Sequence, residues 1–274
     1  MKIDSHQHFW KYDPLKHSWI TPEMNRIQRN FLPADLFPLL QEAQIDGCIA
    51  VQADESQRET DYLLDLADQH EWILGVVGWA DLGRDDLEDV LDSFAEQSRL
   101  VGFREVLQSK DPQYMLREEF VRGVQKIGKR GYAYDILTFP QHLSAALQLV
   151  KKCPDQRFVI DHLSKPEIKS GEWKEWKKLI SPLAERELVY CKISGMVTEA
   201  DWKKWTTDDL LPYIEIALEL FGPERLMFGS DWPVCLLAGE YEQIIQVVAD
   251  FTEQLTESER DLILGETAAD FYKV

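Results

Sequence analysis

Ile3-Asp4-Ser5-His6-Gln7-His8 sets two histidines one residue apart at the start of the sequence. Side chains two apart on a strand share a face, so His6 and His8 present two imidazoles together at a strand's exit. Imidazoles held in that way can ligate a metal or direct hydrogen bonds at one substrate, although isolated His-X-His pairs also sit in loops without a task. Asp231, in Ser230-Asp231-Trp232, has the chemistry of a general base, because a carboxylate near imidazoles or a metal can hold a water and take its proton. Its competing roles are a helix cap or an ion-pair partner for Arg104. Arg104 can grip a substrate carboxylate or stabilise a developing oxyanion, or it can pair with a nearby acid such as Glu105. Strand alternation sends Arg104 and Glu105 to opposite faces, and Arg104 is the one assigned inward. His162 can bind metal, hydrogen-bond a carbonyl oxygen or protonate a leaving group. Gln52 and Lys192 are candidates for substrate oxygens, and Lys192 can equally balance Asp161 or Asp231. Trp10, Trp79 and Trp232 offer apolar walls for a ring, with core packing as the alternative. His17, His70 and His142 fall in loop or helix segments and read as surface residues.

These groups need a scaffold that gathers them. Short apolar, β-branched runs recur at residues 2–8, 47–52, 73–80, 100–105, 132–137, 157–162, 188–194 and 225–230. Most stay uncharged until their last residue or two, as strands do when both faces are covered by helices. Helical patterns lie between them. Residues 85–97 carry Leu87, Val90, Leu91 and Phe94 on one face. Residues 118–130 end in a basic turn before Gly131, and residues 143–152 and 208–221 are alike. Eight such β–α units predict a (β/α)8 TIM-like barrel as one domain over residues 1–274. An open doubly wound sheet would carry a glycine-rich turn where this chain has His-Gln-His. In such barrels active sites lie at the C-terminal strand ends, where the polar residues named above fall. The stretch from Trp10 to Pro38 is long for a connection and rich in aromatics, and it predicts an irregular wall over the site.

Composition narrows the function. The 274 residues include 49 acidic and 30 basic side chains, a net charge of −19 that argues against nucleic acid and anionic membrane surfaces. Four cysteines, Cys48, Cys153, Cys191 and Cys235, show no paired spacing, so neither a disulfide framework nor a zinc ribbon is expected. No signal-peptide pattern and no membrane-length apolar run is present, and a cytoplasmic setting is the expectation. Oligomeric state is left open.

In order, Ile3-Asp4-Ser5-His6-Gln7-His8-Phe9-Trp10, Val51-Gln52-Ala53, Val101-Gly102-Phe103-Arg104, Ile160-Asp161-His162-Leu163-Ser164-Lys165-Pro166, Cys191-Lys192-Ile193-Ser194-Gly195 and Met227-Phe228-Gly229-Ser230-Asp231-Trp232-Pro233 form a recognisable series. With the closing helix at residues 263–272, it resembles the amidohydrolase superfamily. More narrowly, it resembles the amidohydrolase 2 branch that holds sugar lactonases of the L-fuconolactonase and L-rhamnonolactonase types. The resemblance implies a TIM-like barrel that hydrolyses a cyclic ester with activated water. His6, His8, His162 and Asp231 would form its centre, and Arg104 would contact substrate. Many amidohydrolases complete a two-metal centre with a lysine on strand four and a histidine on strand five. Here those strands offer Arg104-Glu105 and Asp135, which leaves one divalent ion, zinc foremost, on His6, His8 and Asp231 with Glu105 as a further ligand. The other arrangement uses no metal. The expected substrate is a small sugar lactone. A metal-dependent decarboxylase or amide hydrolase, or a non-catalytic barrel that binds a sugar acid, are the alternatives.

Overall fold

The apolar runs become strands because each is buried on both faces, and the computed structural model describes them within residues 1–274. They are β1 (Ile3–Gln7), β2 (Gly47–Val51), β3 (Ile73–Gly78), β4 (Leu100–Glu105), β5 (Ala133–Ile136), β6 (Phe158–Ile160), β7 (Val189–Ile193) and β8 (Leu226–Phe228). All neighbours pair in parallel in sequence order. The ring closes between β8 and β1. There Asp231 N donates to His6 O at 2.8 Å and His8 N donates to Trp232 O at 2.7 Å. The fold is therefore the single (β/α)8 barrel. Around it lie α1 (Pro33–Glu42), α2 (Gln57–Gln69), α3 (Leu87–Ser93), α4 (Glu118–Lys129), α5 (Leu143–Lys152), α6 (Trp173–Ala184), α7 (Met196–Glu199), α8 (Thr207–Phe221), α9 (Tyr241–Thr252), α10 (Glu257–Asp261) and α11 (Thr267–Tyr272). None is long and apolar enough to cross a membrane.

Two cores form. The larger lies between barrel and helices. The smaller fills the lower lumen with Ile3, Ile49, Val77, Val101, Val159 and Met227, stoppered by Phe271 and Tyr272 of α11. Polar lumen residues therefore collect above this apolar plug, toward the strand exits. All four cysteines are buried and free.

Three expectations shift. α3 is shorter than the 85–97 pattern. It starts only after Asp86, whose carboxylate is taken by Arg84, and it ends at Ser93, whose Oγ bonds back to Val90 O and competes with the helical ladder. The sixth and eighth strands stop at Ile160 and Phe228, because the chain turns out of the sheet to carry Asp161-His162 and Ser230-Asp231 over the lumen. His17 and His142 are buried rather than on the surface: Trp10 packs on the His17 ring, and His142 Nε2 donates to Lys110 O at 3.0 Å.

Glu59 on α2 gives the fold a pH dependence. Its carboxylate accepts the Ala53 N–H at 3.2 Å while only 8 % exposed, and burial pushes its acid up to about 7 from 4.5. Between those values the unfolded chain sheds a proton that the folded chain keeps. Stability therefore falls as pH rises through that window, and the full penalty stands above it. Glu59→Gln keeps an acceptor for Ala53 and removes the charge. At pH 8 its Tm should exceed wild type by a few degrees in calorimetry, with the gap narrowing at pH 5; an equal or lower Tm at pH 8 refutes this.

Candidate active site

β1 delivers His6 and His8 to the mouth of the barrel with ring centroids 5.0 Å apart, and His162 comes within 4.4 Å of His6. Two glycines make room for them. A Cβ on Gly229 would lie 2.7 Å from His6 Cβ, and one on Gly195, itself at φ +60°, would lie 2.6 Å from His162 Nδ1. Backbone strain concentrates at the same place. His162, Leu163, Ser164 and Lys165 have φ between 51° and 58°, and Asp231 has φ 58°. Left-handed backbone disfavours non-glycine residues by about 1–2 kcal/mol each, and such strain persists where surrounding contacts over-determine it. At Asp231 those contacts run through Asp4. Its carboxylate accepts from Ser230 N (2.8 Å), Ser230 Oγ (2.6 Å) and Tyr241 Oη (3.2 Å), and Ser230 Oγ in turn accepts from Trp232 N (2.9 Å). Burial pushes the Asp4 acid up to about 6 against these bonds.

Each imidazole is held by hydrogen-bonding neighbours. His8 Nδ1 donates to Val51 O at 2.7 Å, so its Nε2 lone pair faces Asp231 Oδ1 at 3.3 Å. His6 stands between two cationic donors, Arg104 Nη1 at 3.2 Å from its Nε2 and Lys192 Nζ at 3.1 Å from its Nδ1, with Asp161 Oδ1 3.2 Å from Nδ1. His162 Nδ1 pairs with Ser194 Oγ at 2.8 Å, and its Nε2 lies 3.9 Å from Asp231 Oδ1. Burial drives His6 well below its ordinary value and His162 down to about 4, so both are neutral at pH 7. Burial alone would raise the Asp231 acid, but the positive charge that the surrounding imidazoles, His162 first, carry when protonated holds it well below the usual carboxylate range, and it is ionised.

Beneath this ring lies a lattice of buried charge. Arg104 Nη1 donates to Asp161 Oδ2 at 3.0 Å, and its Nη2 donates to Gln52 O. Lys192 Nζ reaches Asp135 Oδ2 at 2.5 Å, Asp161 Oδ1 at 3.1 Å and His6 Nδ1 at 3.1 Å. Tyr272 Oη donates to Asp135 Oδ2 from α11 at 2.8 Å. Burial would raise the Asp161 acid, but Lys192, His6 and Arg104 hold it well below its usual value. Burial pushes Asp135 up to about 6 despite Lys192.

A cavity of about 360 Å³ opens above the ring, and His8, Arg104, His162 and Asp231 lie on its wall. Four residues assigned to substrate are placed elsewhere. Trp10 is fully buried with Nε1 donating to Arg29 O, and Trp232 packs edge-on to Phe9 and Phe31. Gln52 is consumed behind Arg104, where its Nε2 donates to Arg104 O at 3.2 Å, and Lys192 lies under His6. The indoles that do line the cavity are Trp19 and Trp202. Trp19 belongs to the aromatic stretch read as a wall, whereas Trp202 follows α7 and carried no sequence signal. Glu105 is also displaced from the ligand set. Alternation turns it away from the lumen, where it accepts from Lys110 and from Tyr114 Oη at 2.7 Å. Asp161 is a further inward carboxylate, and its sequence signal is that it follows the lumen residue Val159 by two.

The donor chemistry fits a divalent cation. Ligand atoms of His6, His8 and Asp231 lie within 4.8 Å of one another and are buried, and His6, Asp161 and His162 form a second such group. The facing acceptors His8 Nε2 and Asp231 Oδ1 leave a gap that only a proton or a cation relieves. Arg104 competes for one ligand atom, since its Nη1 stands 3.2 Å from His6 Nε2.

A parallel barrel that gathers three imidazoles, an acid and a guanidinium from distant strand ends into one cavity defines a barrel enzyme. A family model described as Amidohydrolase matches residues 3–274, and the chain belongs to that family. It is 37% identical over 284 residues to L-fucono-1,5-lactonase of Burkholderia multivorans, covering 99% of this chain and 96% of that one. It is 35% identical over 282 residues to L-fucono-1,5-lactonase of Burkholderia ambifaria, covering 100% and 96%. A crystal structure of an amidohydrolase from Burkholderia multivorans with bound zinc superposes with a TM-score of 0.97 at 36% identity, covering 100% of this chain and 99% of that one.

Proposed function

We propose that this chain opens the ring of a sugar-acid lactone by attack of water, with Asp231 as general base. The observation that carries the reading is the convergence of an ionised Asp231 with three imidazoles, 3.3 to 3.9 Å from its Oδ1, at a cavity of about 360 Å³ whose wall includes Asp231, His8 and His162. Asp231 takes a proton from water as the oxygen bonds to the lactone carbonyl carbon. Arg104 and His162, beside it in the cavity, face the oxyanion that forms. The ring C–O bond then breaks, and protonated Asp231 returns its proton to the leaving oxygen, giving the open hydroxy acid. A divalent ion held by His6, His8 and Asp231, with zinc suited to this nitrogen and oxygen set, would polarise the carbonyl when bound. Arg104 supplies permanent positive charge at the same place, so the ion assists rather than commands.

A panel of five- and six-membered aldonolactones, followed by acid release with and without chelator, tests this. Hydroxylated lactones should be opened, and chelation should lower turnover without abolishing it. Intact protein that opens no aldonolactone overturns the reading. Chelation that abolishes turnover, together with release of carbon dioxide from an aromatic acid, would favour the decarboxylase alternative instead.

A further inference from the structure

The cavity holds more polar side chains than the reaction uses. Outside the central ring these are Gln108, Lys165, Thr198, Glu199 and the Trp202 indole N–H. Two are spent on the backbone: Thr198 Oγ1 donates to Gly195 O at 2.7 Å, and Trp202 Nε1 donates to Thr198 O at 2.9 Å. The other three are not. Gln108 Oε1 is buried with no partner. Lys165 Nζ and Glu199 Oε1 stand 3.7 Å apart, an ion pair too long for a hydrogen bond, with side chains about a fifth exposed. Each lines the cavity and keeps hydrogen-bonding capacity that no protein group uses.

We propose that Gln108, Lys165 and Glu199 are the groups that read the hydroxyls of the substrate ring, which makes them specificity determinants of the lactone reaction; the inference rests on that reading of the site. A carboxylate accepts from a hydroxyl, an ammonium donates to its neighbour, and an amide can do either, so the trio matches adjacent hydroxyls on one ring. Their place is next to the chemistry. The charge of Lys165 is felt at His162, and the charge of Asp231 is felt at Glu199. Lys165 closes the strained turn that begins at His162, and Glu199 ends α7 beside it. The remaining walls, Trp19, Met24, Phe139, Trp202 and Leu237, are apolar and suit the faces and the unhydroxylated edge of a sugar ring. The competing role for the ion pair is a strut that ties the turn to α7. A strut would act equally on every substrate.

The test compares kcat/KM for the best hydroxylated six-membered lactone of the panel with that for δ-valerolactone, the same ester ring without hydroxyls. Glu199→Ala and Lys165→Met should each lower the hydroxylated substrate about 10- to 100-fold, mainly through KM, as expected for losing hydrogen bonds to a charged group. The loss on δ-valerolactone should be far smaller, so the preference between the two lactones falls by at least tenfold. Gln108→Ala should lower the preference less. Glu199→Gln keeps the shape and removes the charge, and it should lower the preference even where the alanine variant folds poorly. Parallel losses on both lactones make the pair a strut and overturn the inference while lactone opening stands. Wild-type protein that opens neither lactone overturns the lactone reading and this inference with it.

Discussion

Asp231→Asn should leave a folded protein that binds its lactone and turns it over on the order of 10³-fold more slowly, within the range for loss of a positioned general base. The backbone at residue 231 is held by its neighbours, through Asp231 N on His6 O and through Ser230 on Asp4, and none of these bonds needs the Asp231 carboxylate. An asparagine amide would also donate to His8 Nε2, where the native oxygen faces it as a second acceptor at 3.3 Å. Thermal stability should therefore hold or rise while kcat collapses. The pH profile gives an independent check. Because Asp231 is held below the usual carboxylate range, its own ionisation should leave no inflection in the wild-type rate from about pH 5 through neutrality. The asparagine variant lacks a base, so its residual rate should climb with hydroxide. A variant within tenfold of wild type, or one with a flat profile, removes Asp231 as the base.

Much of this arrangement is legible in the residues themselves. The eight apolar runs gave the barrel because a strand buried on both faces has almost no other architecture to join. Alternation by two was enough to aim Arg104 inward and Glu105 outward, and to pair His6 with His8. The same rule fails where the chain turns left-handed. His162 and Asp231 stand on left-handed turns beyond β6 and β8, and nothing in their local sequence encodes that geometry. It follows from Ser230 meeting Asp4, and Gly195 meeting His162, across the closed ring. The cavity walls were less legible for a related reason. An indole is suitable both for core and for a binding face, and tertiary packing alone decides. Packing buried Trp10 and Trp232 under Phe31 and left Trp19 and Trp202 facing the cavity. The lysine on β7 was ambiguous between substrate and counter-ion. Its immersion between Asp135 and Asp161 makes it a counter-ion.

Arg104→Met should cost both stability and rate, and the two can be separated. Removing the guanidinium leaves Asp161 buried with one cation fewer, a loss of roughly 3–5 kcal/mol by the usual cost of breaking a buried pair. If Arg104 also faces the oxyanion, kcat should fall about 10²- to 10³-fold. Arg104→Lys should recover little of the rate, because one ammonium cannot span Asp161 Oδ2, His6 Nε2 and Gln52 O at once. The decisive comparison is a double-mutant cycle with Asp161→Asn. With Asp161 neutral, an arginine whose only task is charge balance becomes dispensable, and adding Arg104→Met to that background should change neither Tm nor kcat. An arginine that stabilises the reacting carbonyl remains necessary. Adding Arg104→Met to Asp161→Asn should then still lower kcat at least about 30-fold, a difference near 2 kcal/mol, even as most of the stability returns. A double variant as active as Asp161→Asn alone would reduce Arg104 to a counter-ion, and the oxyanion would then fall to His162 and to any bound cation.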